Sequence, residues 1–190
     1  GYFNGTADFD PGAGTYNLVS AGSRDCFISK LDASGNFVWA IRFGGIDMEN
    51  PYDIALEGSN IVITGSFRNT VDFDPGVGTS NLSALGVSDI FIVKLDAVGN
   101  LIWAKQIGGV GSTARGIRIA PYGGDFYVLC GYTATIDVDP GIGITNLSSA
   151  GSGDFFICKI DGSGNFNWVK TYGGSGNDDG VDLCVDAIGN

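Results

Sequence analysis

The sequence predicts an all-β fold assembled from a repeated unit of four antiparallel strands, and three observations predict it. The chain matches itself at a shift of 64 and then 65 residues, which marks a repeat architecture. Apolar and aromatic runs with a period of two are broken by Gly, Asn and Asp, and no stretch carries helical spacing over a useful length. The 32 Gly among 190 residues are the punctuation of short strands joined by tight turns.

Three landmarks recur in each unit. Asp8-Phe9-Asp10-Pro11-Gly12, Asp72-Phe73-Asp74-Pro75-Gly76 and Asp137-Val138-Asp139-Pro140-Gly141 each precede an Asn-Leu pair. Asp25 to Asp32, Asp89 to Asp96 and Asp154 to Asp161 then read as one strand written three times, each with Lys near its end. Trp39, Trp103 and Trp168 follow a Gly-Asn turn and precede a Gly-Gly pair.

In the second unit the period-2 pattern places strands near Tyr52 to Leu56, Asn60 to Phe67, Asp89 to Leu95 and Asn100 to Ile107. The loop Asp96-Ala97-Val98-Gly99-Asn100 has hairpin chemistry, with Gly where a positive φ is required. Between the second and third strands lies an insert, in which Thr70 to Asp74 and Thr79 to Ala84 form a small extra hairpin over Pro75-Gly76-Val77-Gly78. The strand holding Ile54-Ala55, Ile119-Ala120 and Leu183-Cys184 carries small residues, as crowding around a central axis requires, so it is expected innermost. Each Trp is expected to pack between neighbouring units, where aromatics supply buried area.

Four antiparallel strands per unit, radially repeated, describe β-propeller blades, with the insert accounting for a period longer than the familiar 40 to 50 residues. The units run approximately 1–64, 65–130 and 131–190 within one propeller segment. Gly1-Tyr2-Phe3 aligns with Gly65-Ser66-Phe67, and Asp186 to Asn190 align with a turn, so both ends fall mid-blade. A propeller closes with about four to eight blades. The expectation is therefore three incomplete repeats of a larger ring, completed either by more of the same chain or by further copies.

Charge and composition exclude several function classes. Ten Lys and Arg against 21 acids leave a net charge of −11, which opposes attraction to phosphate backbones and anionic lipid. The absence of His removes Ser-His-Asp and Cys-His catalysis and His-ligated zinc. The acids are 19 Asp plus Glu49 and Glu57, a bias toward the short carboxylate that suits turns and hard-cation loops.

Candidate metal ligands are Asp8 with Asp10, Asp72 with Asp74, and Asp137 with Asp139. Alternate strand residues share a face, so each pair sets two carboxylates together, and Ca²⁺ would relieve their repulsion. Turn chemistry is the competing reading, because Asp before Pro-Gly accepts backbone N–H groups. Lys30, Lys94 and Lys159 are expected to form ion pairs from blade to blade, and Asp32, Asp96 and Asp161 to open hairpin turns. The unrepeated acids Asp47, Glu49, Asp53, Asp178, Asp179 and Asp182 follow Gly-Gly, where a specific site is most expected. Cys26, Cys130, Cys158 and Cys184 lack metal or redox spacing and replace small or apolar strand residues, which predicts buried thiols.

Gly99-Asn100-Leu101-Ile102-Trp103-Ala104, the following Gly-Gly and Asp89-Ile90-Phe91-Ile92-Val93-Lys94-Leu95-Asp96 resemble the SBBP-type bacterial β-propeller repeats. The Asp-Phe-Asp-Pro-Gly insert is similar to that of a Bacteroidetes variant found in secreted and surface proteins. The resemblance implies an extracellular or bacterial cell-surface address and a noncatalytic module that binds protein or glycan, or spaces other domains. It brings no catalytic residues with it. Two other readings stay open: a polysaccharide-active propeller hydrolase using carboxylates, and a structural subunit of a surface assembly.

Overall fold

Strands form almost where the alternation places them. The computed structural model describes all 190 residues, Gly1–Asn190. The first blade holds β1 (Tyr2–Phe3), an insert hairpin of β2 (Thr6–Asp8) and β3 (Asn17–Val19), then β4 (Asp25–Leu31) and β5 (Phe37–Gly45). The second holds β6 (Asn50–Glu57), β7 (Asn60–Phe67), the insert strands β8 (Thr70–Asp72) and β9 (Asn81–Ser83), β10 (Asp89–Leu95) and β11 (Leu101–Ile107). The third holds β12 (Ala114–Tyr122), β13 (Asp125–Tyr132), β14 (Thr135–Asp137), β15 (Asn146–Ser148), β16 (Asp154–Ile160) and β17 (Phe166–Tyr172). There is no helix.

The second and third blades are antiparallel sheets of four strands, ordered β11-β10-β7-β6 and β12-β13-β16-β17. The hairpin after β10 turns through Gly99 at φ 93°, and Asp96 Oδ1 accepts the Val98 and Asn100 N–H groups at 2.9 Å. The same turn recurs at Asp32 and Asp161. Hydrogen bonds from Asn36, Asn100 and Asn165 hold these three carboxyls below the usual carboxylate range.

The cores lie between blades. On the second blade, Ile61, Ile63, Phe67, Phe91, Val93 and Leu95 join Cys26, Ile28 and Phe43 of the first. The opposite face, with Val62, Ile90 and Ile92, joins Ile119, Phe126, Val128 and Phe156 of the third. Strands β7 and β10 are therefore covered on both faces, which is why their sequences run almost continuously apolar.

Strands β6 and β12, expected innermost, lie against each other, and Ile119 N–H donates to Asp53 Oδ2 across the junction at 2.9 Å. Leu183-Cys184, their expected third counterpart, forms no strand. Trp103 does pack between blades, donating its indole N–H to Gly162 O at 3.2 Å, whereas Trp168 is 37% exposed.

The second and third insert hairpins reach back to the preceding blade. Strand β8 pairs with the end of β5 through Gly44 opposite Asp72 and Gly45 opposite Val71. Asp137 N–H likewise donates to Gly108 O at 2.9 Å. The Gly-Gly pair after each Trp makes this approach feasible, since a β-carbon on Gly45 would lie 2.5 Å from Thr70 O. Val71, Phe73, Ile136 and Val138 are fully buried in the junctions. The insert is thus a clamp between blades as well as a surface hairpin.

Candidate functional site

The Asp-x-Asp-Pro-Gly elements fold as the alternation demands: Val71 and Phe73 point inward, and Asp72 and Asp74 remain partly exposed. The strand stops at Asp72 rather than reaching Asp74, because the chain begins to turn there. Asp72 Oδ1 accepts the N–H groups of Asp74 at 3.0 Å and Ser80 at 2.8 Å, and Asp74 Oδ1 accepts that of Gly76 at 2.7 Å. Asp8 and Asp10 do the same in the first blade, and Asp137 and Asp139 in the third. N–H donation from Tyr16 and then Asp10 holds the Asp8 carboxyl below its usual range. One oxygen of every candidate ligand therefore closes the turn. No three acidic or thiol side chains gather as a metal-binding group anywhere in the chain.

The recurrent Lys behave differently from the expectation. Their ion pairs lie within a blade, Lys94 with Glu57 at 3.2 Å and Lys159 with Asp125 at 2.9 Å. The link between blades is a hydrogen bond instead, from Lys94 Nζ to Gly162 O at 3.1 Å and from Lys30 Nζ to Ala97 O at 3.3 Å. The ends of β4 and β10 lie beside the hairpin turn of the next blade, which presents carbonyls rather than carboxylates to Lys30 and Lys94. Asn60, and then Lys94, hold the Glu57 carboxyl below its usual range.

The unrepeated acids fasten loops and blades. Asp47 accepts from the Asn69 side chain at 2.9 Å, and Asp53 receives Ile119 N–H. Asp179 is bidentate to Arg115 and Asp182 meets Arg118 at 3.0 Å, tying the last segment to β12. Glu49 is fully buried; Oε2 accepts the Gly45 N–H at 3.0 Å, and Oε1 has no protein donor. Burial first, and the neighbouring Asp25 and Asp47 charges after the opposing Gly45 bond, push its carboxyl up to about 7. Asp178 occupies the corresponding place in the third blade, with Oδ2 accepting the Gly174 N–H at 2.9 Å.

Sequence reasoning missed the pairing of these acids with the aspartates that open β4 and β16. Asp25 and Asp154 are buried, and Oδ1 of each lacks a protein donor. The signal available was the shared register of Glu49 with Asp178 and of Asp25 with Asp154. The cysteines are free; Cys26, Cys130 and Cys158 are buried as expected, but Cys184 is exposed because its segment forms no strand.

The insert turns face solvent with apolar tips. Val77 and Ile142, between glycines, are fully exposed, and Ala13 stands at the same place in the first blade.

No family model matches the chain. It is 33% identical over 121 residues, 62% of its length, to the uncharacterized WD repeat-containing protein L264 of Acanthamoeba polyphaga mimivirus. The matched stretch is 9% of that protein, so the chain spans less than a tenth of this relative's length. Sheet order, antiparallel register and cores between sheets, together with this similarity to a repeat protein, establish an all-β array of β-propeller blades.

Proposed function

We propose that these blades form a noncatalytic module for protein binding or scaffolding, presenting the insert hairpins as its recognition surface. The carrying observation is the pair of apolar tips, Val77 and Ile142, held in full solvent exposure on turns that aspartate carboxylates lock. A fixed apolar tip loses little conformational freedom on binding. Its repetition from blade to blade offers several contacts to one partner. The WD repeat in the name of the similar viral protein supports a propeller scaffold. An extracellular or bacterial-surface address, membership of the SBBP-type repeats and a glycan among the ligands belong to the same proposal, supported by the repeat motifs.

Site-specific photo-cross-linking in the source organism tests it. Benzoylphenylalanine at Val77 or Ile142 should give adducts with one and the same protein, and at Val98, on the hairpin at the opposite end of β10, should give none. Adducts at Val98 alone, or none at any position, would overturn the reading. Protease accessibility on intact cells tests the address: a protected chain refutes surface exposure.

A further inference from the structure

Glu49 closes the loop between β5 and β6, and little around it compensates a charge. It is fully buried; Oε2 accepts the Gly45 N–H at 3.0 Å, and Oε1 has no protein donor. Facing it are Asp25 and the Cys26 thiol on β4 and Asp47 in its own loop. The nearby cations are engaged elsewhere, Arg42 with Asp25 at 2.8 Å and Arg24 over the Tyr2 ring at 4.7 Å, and no Lys or Arg forms an ion pair with Glu49. A buried carboxylate without a cation is costly, so the carboxyl keeps its proton up to about pH 7.

The same loop is where the second insert hairpin takes hold of the first blade. Gly44 and Gly45 pair with Asp72 and Val71 of β8, and Asp47 Oδ2 accepts the side-chain amide of Asn69, the residue that enters β8 at φ 56°. Besides the Glu49 side chain, the loop is held by two main-chain bonds to Arg24, at 3.0 and 3.1 Å. It rests closely on the turn before β4, since a β-carbon on Gly22 would lie 2.4 Å from Gly45 O. Bringing an ionised Glu49 to water moves this loop outward, and that movement parts Gly44 and Gly45 from β8 and Asp47 from Asn69.

The next junction supplies the contrast. There Ala114 N–H donates to Ser88 O at 2.9 Å, as Glu49 N–H does to Arg24 O, so a buried Ala114 stands in the place of the acid. The third insert still bonds to the second blade, from Asp137 N–H to Gly108 O at 2.9 Å, and the loop Gly109–Thr113 carries no titratable side chain.

We propose that the loop Gly45–Glu49 is a proton-dependent latch: protonated Glu49 holds it closed against β8, and loss of that proton to solvent opens it and frees the edge of the second insert hairpin. In the open loop the carboxyl returns to its ordinary pKa of 4.5, against about 7 when closed. Opening is therefore favoured further with each step of pH between these values, and no further above 7. That the latch alters recognition rests on the reading of Val77, at the tip of this hairpin, as a contact residue; the latch itself does not.

Amide hydrogen exchange of the intact chain, followed by NMR from pH 4.5 to 8.5 and divided by the intrinsic rate at each pH, tests this. Protection of the amides in Gly44–Ile46 and Val71–Phe73 should fall by up to about 300-fold between pH 4.5 and 7 and then level off. Protection in Ile136–Val138 should stay constant, because its junction has Ala114. Glu49→Gln, which keeps an oxygen for the Gly45 N–H and cannot ionise, should flatten the profile of the second insert. Glu49→Ala, the residue the second blade has there, should flatten it too. A flat profile in the parent chain, an equal fall at both inserts, or a pH dependence that survives in either variant would overturn the proposal.

Discussion

Replacing Phe73 by Ala tests whether the insert holds blades together. Phe73 is fully buried, with ring centroids 5.5 Å from Phe43 of the first blade and 5.2 Å from both Phe67 and Phe91 of the second. Transfer of the lost ring to water accounts for about 2–3 kcal/mol. The cavity left among three rings adds about 24 cal/mol for each Å³ that does not collapse, so the total is about 3–5 kcal/mol. For a chain of this size that corresponds to a fall in Tm of roughly 6–20 °C. Urea unfolding followed by tryptophan fluorescence reads the difference. Trp39, which packs against this core, should report the transition before Trp103 does, because stability in a repeat array is a sum over units and junctions. Val77→Ala, at the exposed tip of the same hairpin, should stay within about 0.5 kcal/mol of the parent. A Phe73→Ala effect below about 1 kcal/mol would refute the reasoning, since the insert would then be a decoration on blades that dock without it.

Asp72→Ala removes the acceptor of two backbone N–H groups and should cost about 1–3 kcal/mol, equally with Ca²⁺ or chelator; a loss seen only with Ca²⁺ would make the insert a metal site. Glu49 has a folded-state pKa of about 7 against an ordinary 4.5, so the native state holds the extra proton between those values. Its contribution to stability is full below about pH 4.5 and falls away as pH rises through 7, by up to about 3 kcal/mol. Glu49→Gln should flatten that part of the pH profile, and an unchanged slope would show that Glu49 does not titrate there. The turn carboxyls Asp32, Asp96 and Asp161 carry the opposite sign, losing their contribution as pH falls below about 4. Ala134 sits at φ 58°, where Gly5 stands in the first blade, so Ala134→Gly should raise stability by about 1 kcal/mol in a thermal melt; a loss would show that the left-handed backbone is not strained. Thiol titration of the native protein should find Cys184 fast and Cys26, Cys130 and Cys158 protected, with burial first pushing the Cys26 and Cys130 thiols up; several fast thiols would contradict the packing.

By itself the sequence determined the strands and their turns. Periodicity and turn residues are local properties, and the bounds Asn60–Phe67 and Asp89–Leu95 follow from runs that only a strand covered on both faces tolerates. The Asp96-to-Asn100 hairpin was legible for the same reason, since a carboxylate two to four residues from its donors needs no distant partner. Tertiary structure alone decided what meets what across blades. That Lys94 pairs with Glu57 inside its blade and reaches only a carbonyl in the next depends on how far one sheet is rotated from its neighbour, which no local pattern encodes. That Phe73 closes a junction, that Cys184 is exposed, and that Asp154 shares a cavity with Asp178 depend likewise on distant segments being brought together. Backbone preference is set residue by residue, but the surroundings of a side chain are set by whichever elements pack over it.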